Sequence, residues 1–424
     1  MKNIISKLIN SNKKKTFKDI EFLKLKNCYE VSHLFNCFMN FDEKTEIRFV
    51  GGCVRKILNE EKIDDLDLAT NVNPNLIIEI LKKNKINYFS TGIKHGTITA
   101  IINDKKFEIT SLRKDIKTDG RHAEVMFTDD WYADAARRDF SINSIYSDLS
   151  GNLYDPFNGM IDLKKGLVKF IGNAEDRIQE DYLRILRYIR FHLNYSEIDH
   201  EVNIKKVIKK NISGIKKLSK NRLIDELKKI FLSPKFYSLA EDQFSQEVVF
   251  LIFPELKNLS IFNKLSSDQK NLILNKDFIF LISLSIIDNT DNADYFVFKY
   301  NISNQEKKKI LFLKNNYKNI TKKNFFEYKN ISKIHYLNGT QMTIDLIDFK
   351  ILQSSSYPKK LLDLKRKFIN KEVPVFPLKA KNLINEYNFK EGRELGEKLK
   401  ILENVWINNN FKITDAQIKK IVLN

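Results

Sequence analysis

Cysteine and histidine are both scarce in this chain, and each shortage removes a class of answer. Three cysteines among 424 residues (Cys28, Cys37, Cys53) are odd in number and scattered, which argues against a disulfide framework and for a reducing compartment. Six histidines (His33, His95, His122, His192, His200, His335) do not cluster with them, so no zinc site is expected. Long apolar runs are missing as well. No stretch reaches the length needed to cross a bilayer, and Met1-Lys2-Asn3-Ile4-Ile5 opens no sustained apolar core, so the expectation is a cytoplasmic protein.

Acidic charge is in deficit: 73 Lys and Arg stand against 54 Asp and Glu, a formal net charge of +19. A polyanion is the natural partner, and RNA, DNA and acidic membrane surfaces all satisfy charge alone. A chain rich in Lys, Ile and Asn also carries such a bias through composition. Apolar residues at 42% are ample for burial. The length exceeds a single compact core, so more than one domain is expected.

The stretch Phe49-Val50-Gly51-Gly52-Cys53-Val54-Arg55-Lys56-Ile57-Leu58 takes an apolar run through a glycine pair into a helical pattern. Such a strand-to-helix turn with bare backbone N–H groups suits a phosphate. In Asp64-Asp65-Leu66-Asp67-Leu68, Asp65 and Asp67 stand two apart, and in a strand that spacing puts both carboxylates on one face. Paired carboxylates can hold divalent cations such as Mg²⁺, which share oxygen ligands with substrate phosphates. Taken singly, the glycine pair also reads as plain turn chemistry and the Asp-rich segment as a solvated turn.

Together they resemble the signature of the nucleotidyltransferase superfamily that includes DNA polymerase β. More narrowly, they resemble the class II tRNA nucleotidyltransferase (CCA-adding enzyme) and bacterial poly(A) polymerase family. That resemblance implies a role for Gly51, Gly52 and Arg55 on the triphosphate side and for Asp65 and Asp67 as metal ligands. Lys56 stands where the family usually has Asp, so a structural salt bridge there is expected to be lost or rearranged.

The apolar patterns of residues 1–45 predict one or two amphipathic helices. Asn73-Pro74 predicts a capped helix start, and strands are expected at 88–91, 97–102 and 107–112. Glu108 in the last strand reads as an outward carboxylate by pattern, whereas the resemblance makes it a third acidic residue of the site. Residues 114–133 keep neither period, which predicts a mobile loop at the edge of the site. Its polar core (Arg113, Asp115, Asp119, Gly120, Arg121) resembles the family loop that helps the switch from C to A addition.

In Arg137-Arg138-Asp139-Phe140-Ser141-Ile142-Asn143, apolar residues at 142, 145, 146 and 149 predict a helix with Arg138 and Asp139 near its start. A surface basic cluster is one reading. The string also resembles the family's Arg-Arg-Asp-Phe-Thr-Ile-Asn, with Ser141 for Thr, in which Arg forks hold a triphosphate and Asp139 or Asn143 bonds ribose hydroxyls. The turn-rich segment 155–172 resembles the family's hinge between head and neck.

From 174 to 194 one long helix is expected, with Asp181 and Arg184 as neighbours three apart. Such a pair is a surface ion pair by itself. In context, Glu180-Asp181-Tyr182-Leu183-Arg184-Ile185-Leu186-Arg187-Tyr188-Ile189-Arg190-Phe191 resembles the family motif that selects the incoming nucleotide, which makes Asp181, Arg184, Arg187 and Arg190 candidates. A helix around 220–227 is similar to the family's last motif, with Asn221 where an acidic residue is common. Beyond Pro234 come helical patterns with lysine-rich faces (Lys307-Lys308-Lys309, Lys322-Lys323), which read as solvated surface or as an RNA track. Pro374 and Pro377 mark a boundary before a module in which Gly392-Arg393 opens a helix.

The resulting expectation is an α+β protein: a mixed-sheet nucleotidyltransferase head (1–148), then an all-α neck (149–235), body (236–373) and tail (374–424). The resemblance implies Mg²⁺-dependent addition of CMP, CMP and AMP from CTP and ATP to the 3′ end of tRNA by a monomer or weak dimer. A poly(A) polymerase of the same family and a non-catalytic RNA-binding protein on this scaffold are the alternatives. No His-Asp dipeptide occurs, so the phosphohydrolase activity of some relatives is not expected.

Overall fold

A computed structural model of the chain describes residues 16–117, 124–355 and 357–423. It divides into two compact units, 1–236 and 237–424.

The first unit opens with α1 (Phe17–Asn27) and α2 (Tyr29–Met39). A sheet follows, built from β1 (Ile47–Val50), β2 (Asp67–Thr70), β3 (Asn87–Phe89), β4 (Thr97–Ile102), β5 (Lys105–Ser111), β8 (Tyr146–Ser147) and β9 (Leu153–Tyr154) in the order β3-β4-β5-β2-β1-β8-β9. The sheet is mixed, because β2 runs parallel to β5 while its other neighbour β1 is antiparallel. Alternation along the strands divides the core. Phe49 and Leu68 face α1, α2 and α4 (Pro74–Lys83), whereas Val50 and Ala69 pack with Leu112, Ala135 and Tyr146 on the other side. As expected, the Asn73 side chain caps α4, accepting from Leu76 N, with Pro74 in the first turn.

Three sequence expectations are corrected. Residues 114–133 are not a featureless loop: β6 (Arg113–Lys117) and β7 (Glu124–Phe127) form a hairpin, and α5 (Trp131–Ala136) follows, capped by Asp130. Strand pairing overrides the weak local period. Asp119, Gly120, Arg121 and His122 lie outside the described residues. The helix expected from 135 to 149 is absent as well. The chain leaves α5 at Ala136, makes one 3₁₀ turn at Ser141–Asn143 and enters β8, whose Tyr146 pairs with Val50. Ile142, Ile145 and Tyr146 are all buried, so their spacing reflects burial on the sheet rather than a helical stripe.

Thirdly, the helix of 174–194 is two helices, α7 (Ala174–Glu180) and α8 (Leu183–Tyr195), after α6 (Gly159–Lys164). Asp181 sits between them in extended backbone (φ −151°, ψ 103°). Its carboxylate accepts from Leu183 N at 3.1 Å and its carbonyl from Arg184 N at 3.0 Å, so it starts α8 rather than continuing α7. Tyr182 fills the space beside Gly214, where a Cβ would lie 2.0 Å from the ring, so the residue after Asp181 packs against a position where glycine leaves room. Helices α9 (Val202–Asn211) and α10 (Lys220–Phe231) complete this unit.

The second unit is all helical among its described residues, with ten α-helices from Gln243–Ile252 to Asp415–Leu423. Phe278–Ile286 is buried at every position. One cluster gathers Ile331, Ile347, Ile351, Leu364 and Phe368, and another Leu383, Leu395, Leu402, Ile418 and Val422. Lys309 does not share the exposed face of Lys307 and Lys308. It pairs with Asp277 and the buried Asp345 at 2.6 and 2.7 Å, so the lysine run is solvated only in part. Arg393 at the helix start pairs with Glu397 at 2.8 Å.

Candidate active site

Antiparallel pairing of β1 with β2 brings the glycine turn that follows Val50 beside the first residue of β2, Asp67. Gly51 takes a left-handed φ of 67°, which glycine adopts without strain, and helix α3 (Gly52–Leu58) begins at once with no side-chain cap. A Cβ on Gly52 would lie 3.8 Å from Asp67 Oδ2. The turn is less bare than expected, since Gly51 N donates to Ile145 O at 3.2 Å. Asp65 lies just before the strand rather than in it.

A cleft of about 790 Å³ opens over this turn. Thirteen of the fourteen candidate residues line it: Gly51, Gly52, Arg55, Asp65, Asp67, Arg137, Arg138, Asp139, Asn143, Asp181, Arg184, Arg187 and Arg190. The exception is Glu108, an exposed residue of β5 whose register partner is Asp67. Nine cations line the cleft once Lys56, Arg113 and Lys229 are included, against five carboxylates (Asp65, Asp67, Asp115, Asp139, Asp181). That excess suits a polyanion.

Burial pushes the Asp67 carboxyl above its ordinary range, and Glu108 and Asp65 add to the shift, while Arg138 and Arg55 oppose it. A half-buried carboxylate crowded by two others gains from a nearby cation. Asp65 and Asp67 offer oxygen donors only, which fits a hard divalent ion.

The cations are held rather than loose. The buried carboxylate of Asp134 takes Arg137 Nη2 at 2.7 Å and Arg138 Nη2 at 3.1 Å. Asp139 takes Arg187 Nε at 2.7 Å and Asn143 Nδ2 at 2.9 Å. Burial opposes the charge on Asp139, but Arg187 and the Asn143 hydrogen bond outweigh it and hold the carboxyl below its usual range. Arg190 meets the buried Glu226 of α10 at 2.5 Å. Arg55 bonds the Asn143 side chain and lies over the rings of Phe191 and Tyr195 at 4.7 and 4.8 Å. Lys56 pairs with Asp64 at 2.5 Å, so the substituted position has a rearranged salt bridge.

Asp181 and Arg184 do not pair with each other as helical neighbours. Arg222 of α10 holds Asp181 Oδ2 at 2.7 Å, and Glu180 takes Arg184 Nη1 at 2.6 Å. The helix break explains this, since Asp181 is outside the helical geometry that would bring positions three apart together.

Sequence reasoning missed Asp134, Tyr146 and Arg177. The first had a signal, because Asp134 precedes Arg137 and Arg138 by three and four positions. Arg177 donates to the backbone carbonyls of Arg137 and Arg138 from 39 to 40 residues away, which no local pattern reveals.

Comparison with known proteins places the chain in a family. Residues 47–169 match the family described as "Poly A polymerase head domain", and residues 200–259 match "Probable RNA and SrmB- binding site of polymerase A". The mitochondrial CCA tRNA nucleotidyltransferase 1 of Mus musculus is 40% identical over 284 residues, 66% of this chain and 65% of that protein. The match thus spans just under two thirds of the mouse relative. The Danio rerio protein of the same name is 32% identical over 385 residues, 88% of this chain and 86% of its own length. Among solved structures, the Bacillus stearothermophilus CCA-adding enzyme in complex with CTP shares the fold, with a TM-score of 0.72 at 19% identity over 92% of this chain and 95% of that one. With a third or so of its residues shared along nearly the whole zebrafish protein, the chain belongs to the CCA tRNA nucleotidyltransferase family.

Proposed function

We propose that this protein adds CMP, CMP and AMP to the 3′ end of tRNA from CTP and ATP, releasing pyrophosphate and using no nucleic-acid template. The observation that carries the reading is one cleft holding both the Asp65/Asp67 pair and the fixed Asp181 and Arg184 side chains. Cytosine and adenine present an exocyclic amino donor beside a ring-nitrogen acceptor, whereas uracil and guanine present a carbonyl beside an N–H. An ionised Asp181 only accepts and Arg184 only donates. Each spends part of its capacity on Arg222 or Glu180 and keeps bonding positions for a base.

In this reading Asp65 and Asp67 hold Mg²⁺, with Glu108 beside them. When bound, the metal lowers the barrier to attack by the RNA 3′-hydroxyl and steadies the leaving pyrophosphate. Gly51, Gly52, Arg55, Arg137 and Arg138 bind the triphosphate, Asp139 and Asn143 orient the ribose, and Arg187 and Arg190 add positive charge along the cleft. Residues 1–148 form the head and 149–235 the neck, with RNA bound by a body (236–373) and tail (374–424). Exposed Lys307, Lys308, Lys322 and Lys323 support RNA binding by the second unit. No helix among the described residues is long and apolar enough to cross a membrane. We assign the protein to the cytoplasm as a monomer or weak dimer, which fractionation and sedimentation test against the mitochondrial designation of the vertebrate relatives.

The test uses purified protein, Mg²⁺ and tRNA ending at the discriminator base, with CTP alone, ATP alone or both. Three additions that require both nucleotides support the proposal. Long A tails from ATP alone assign a poly(A) polymerase instead, and no incorporation under any condition leaves an RNA-binding protein.

A further inference from the structure

Asp134 is 1% exposed, and each of its two oxygens serves a different arginine. Oδ1 accepts from Arg137 Nε and Nη2 at 2.9 and 2.7 Å and from the backbone N of Arg113 at 3.3 Å. Oδ2 accepts from Arg138 Nε and Nη2 at 3.3 and 3.1 Å and from the Tyr146 hydroxyl at 2.7 Å. Arg138 is thereby turned so that its remaining Nη1 reaches Asn143 O at 3.5 Å and stands 3.5 Å from where a Cβ of Gly51 would be. The carboxylate therefore fixes two forks at once and sets one of them against the glycine turn. Its bond to Arg113 N ties the base of the β6–β7 hairpin to the same point.

We propose that Asp134 is a positioning residue for triphosphate recognition: it aims Arg137 and Arg138 at the phosphates beside Gly51, with Tyr146 locking the carboxylate. The inference rests on the nucleotide reading of the cleft. A buried carboxylate shared by two arginines keeps them from folding back on other acceptors, and misaimed forks cost more than lost charge would suggest. Burial opposes ionisation of Asp134, but Arg138 and Arg137 more than offset it, so the group is a permanent anion across the working range of pH.

The test is the affinity of the full-length protein for CTP relative to CMP, read by calorimetric titration without RNA. A purely structural role for Asp134 would lower stability and leave this ratio alone. Wild type is expected to prefer CTP, and Asp134→Asn is expected to cut the CTP:CMP preference by about tenfold while CMP affinity stays within about twofold. Asp134→Glu should restore part of the preference. Where Asp134→Asn does not fold, Tyr146→Phe removes the lock but keeps the carboxylate, with an expected loss of about threefold. An unchanged ratio in the folded variants overturns the inference. A wild type with no preference for CTP overturns the nucleotide reading itself.

Discussion

Arg222 donates to Asp181 across 41 residues of sequence, with its Nη2 2.7 Å from Oδ2. Both groups are partly exposed, at 28% and 24% of their side chains, so the pair is not sealed in a core, and Asp181 lines the cleft. Arg222 therefore orients the Asp181 carboxylate, and Glu180 does the same for Arg184, the two groups proposed to read the base.

Removing that orientation should damage base choice more than turnover. Arg222→Ala is expected to raise UMP incorporation relative to CMP by about tenfold, or roughly 1.4 kcal/mol of lost discrimination. Arg184→Ala should both erode discrimination and lower kcat/KM for CTP and ATP. Competition assays with mixed CTP and UTP read this directly. Unchanged preference in Arg222→Ala, Arg184→Ala and Asp181→Ala together would reduce these residues to ordinary surface ion pairs.

The metal pair gives a sharper outcome. Asp65→Ala and Asp67→Ala should each abolish nucleotide incorporation while thermal stability and tRNA retention on filters stay near wild type. Turnover surviving in both variants sinks the assignment of these carboxylates.

Asp67 also makes stability depend on pH in an unusual direction. Its folded pKa is raised, first by burial and then by Glu108, so the contribution is present below the unfolded pKa of an ordinary Asp and is lost as pH rises through the folded value. At neutral pH its ionisation costs stability. Asp67→Asn is therefore expected to raise the metal-free Tm by about 1–3 °C at pH 7 and to leave it unchanged in acid. Mg²⁺ should raise the wild-type Tm but not that of Asp67→Asn. A lower neutral Tm in the variant, measured by scanning calorimetry, contradicts this account.

The β6–β7 hairpin is expected to matter for the final A and not for the two C additions. Replacing residues 118–123 with a two-glycine turn keeps Arg113 and Asp115 in place and should spare CC addition while stopping the final A. Sequencing-gel analysis of products decides it: joint loss of C and A addition assigns the hairpin to the whole site.

Much of the candidate site was legible because its residues come in short contiguous strings. Gly51-Gly52 after an apolar run, Asp65-x-Asp67 and the Asn73-Pro74 cap act through neighbours in sequence, where local backbone preferences decide the outcome. The family resemblance extended this to Arg55, Arg137–Asn143 and 180–191, and thirteen of the fourteen candidate residues, all but Glu108, line one cleft.

Only the tertiary structure decided how these groups are held. The apolar spacing at 142, 145 and 146 fits a helix, yet the chain makes a 3₁₀ turn at Ser141–Asn143 and pairs Tyr146 with Val50, because burial against the sheet satisfies the same residues. A continuous helical pattern from 174 to 194 gave no warning that Asp181 would leave the helix, since the contacts beside the break, the Tyr182 ring on Gly214 and Arg222 on the Asp181 carboxylate, come from distant segments. The sequence by itself determined which groups the site contains, through strings whose chemistry is local. Two of their partners, Arg222 for Asp181 and Glu226 for Arg190, were decided by packing between distant segments, 41 and 36 residues apart in sequence, which no local pattern reveals.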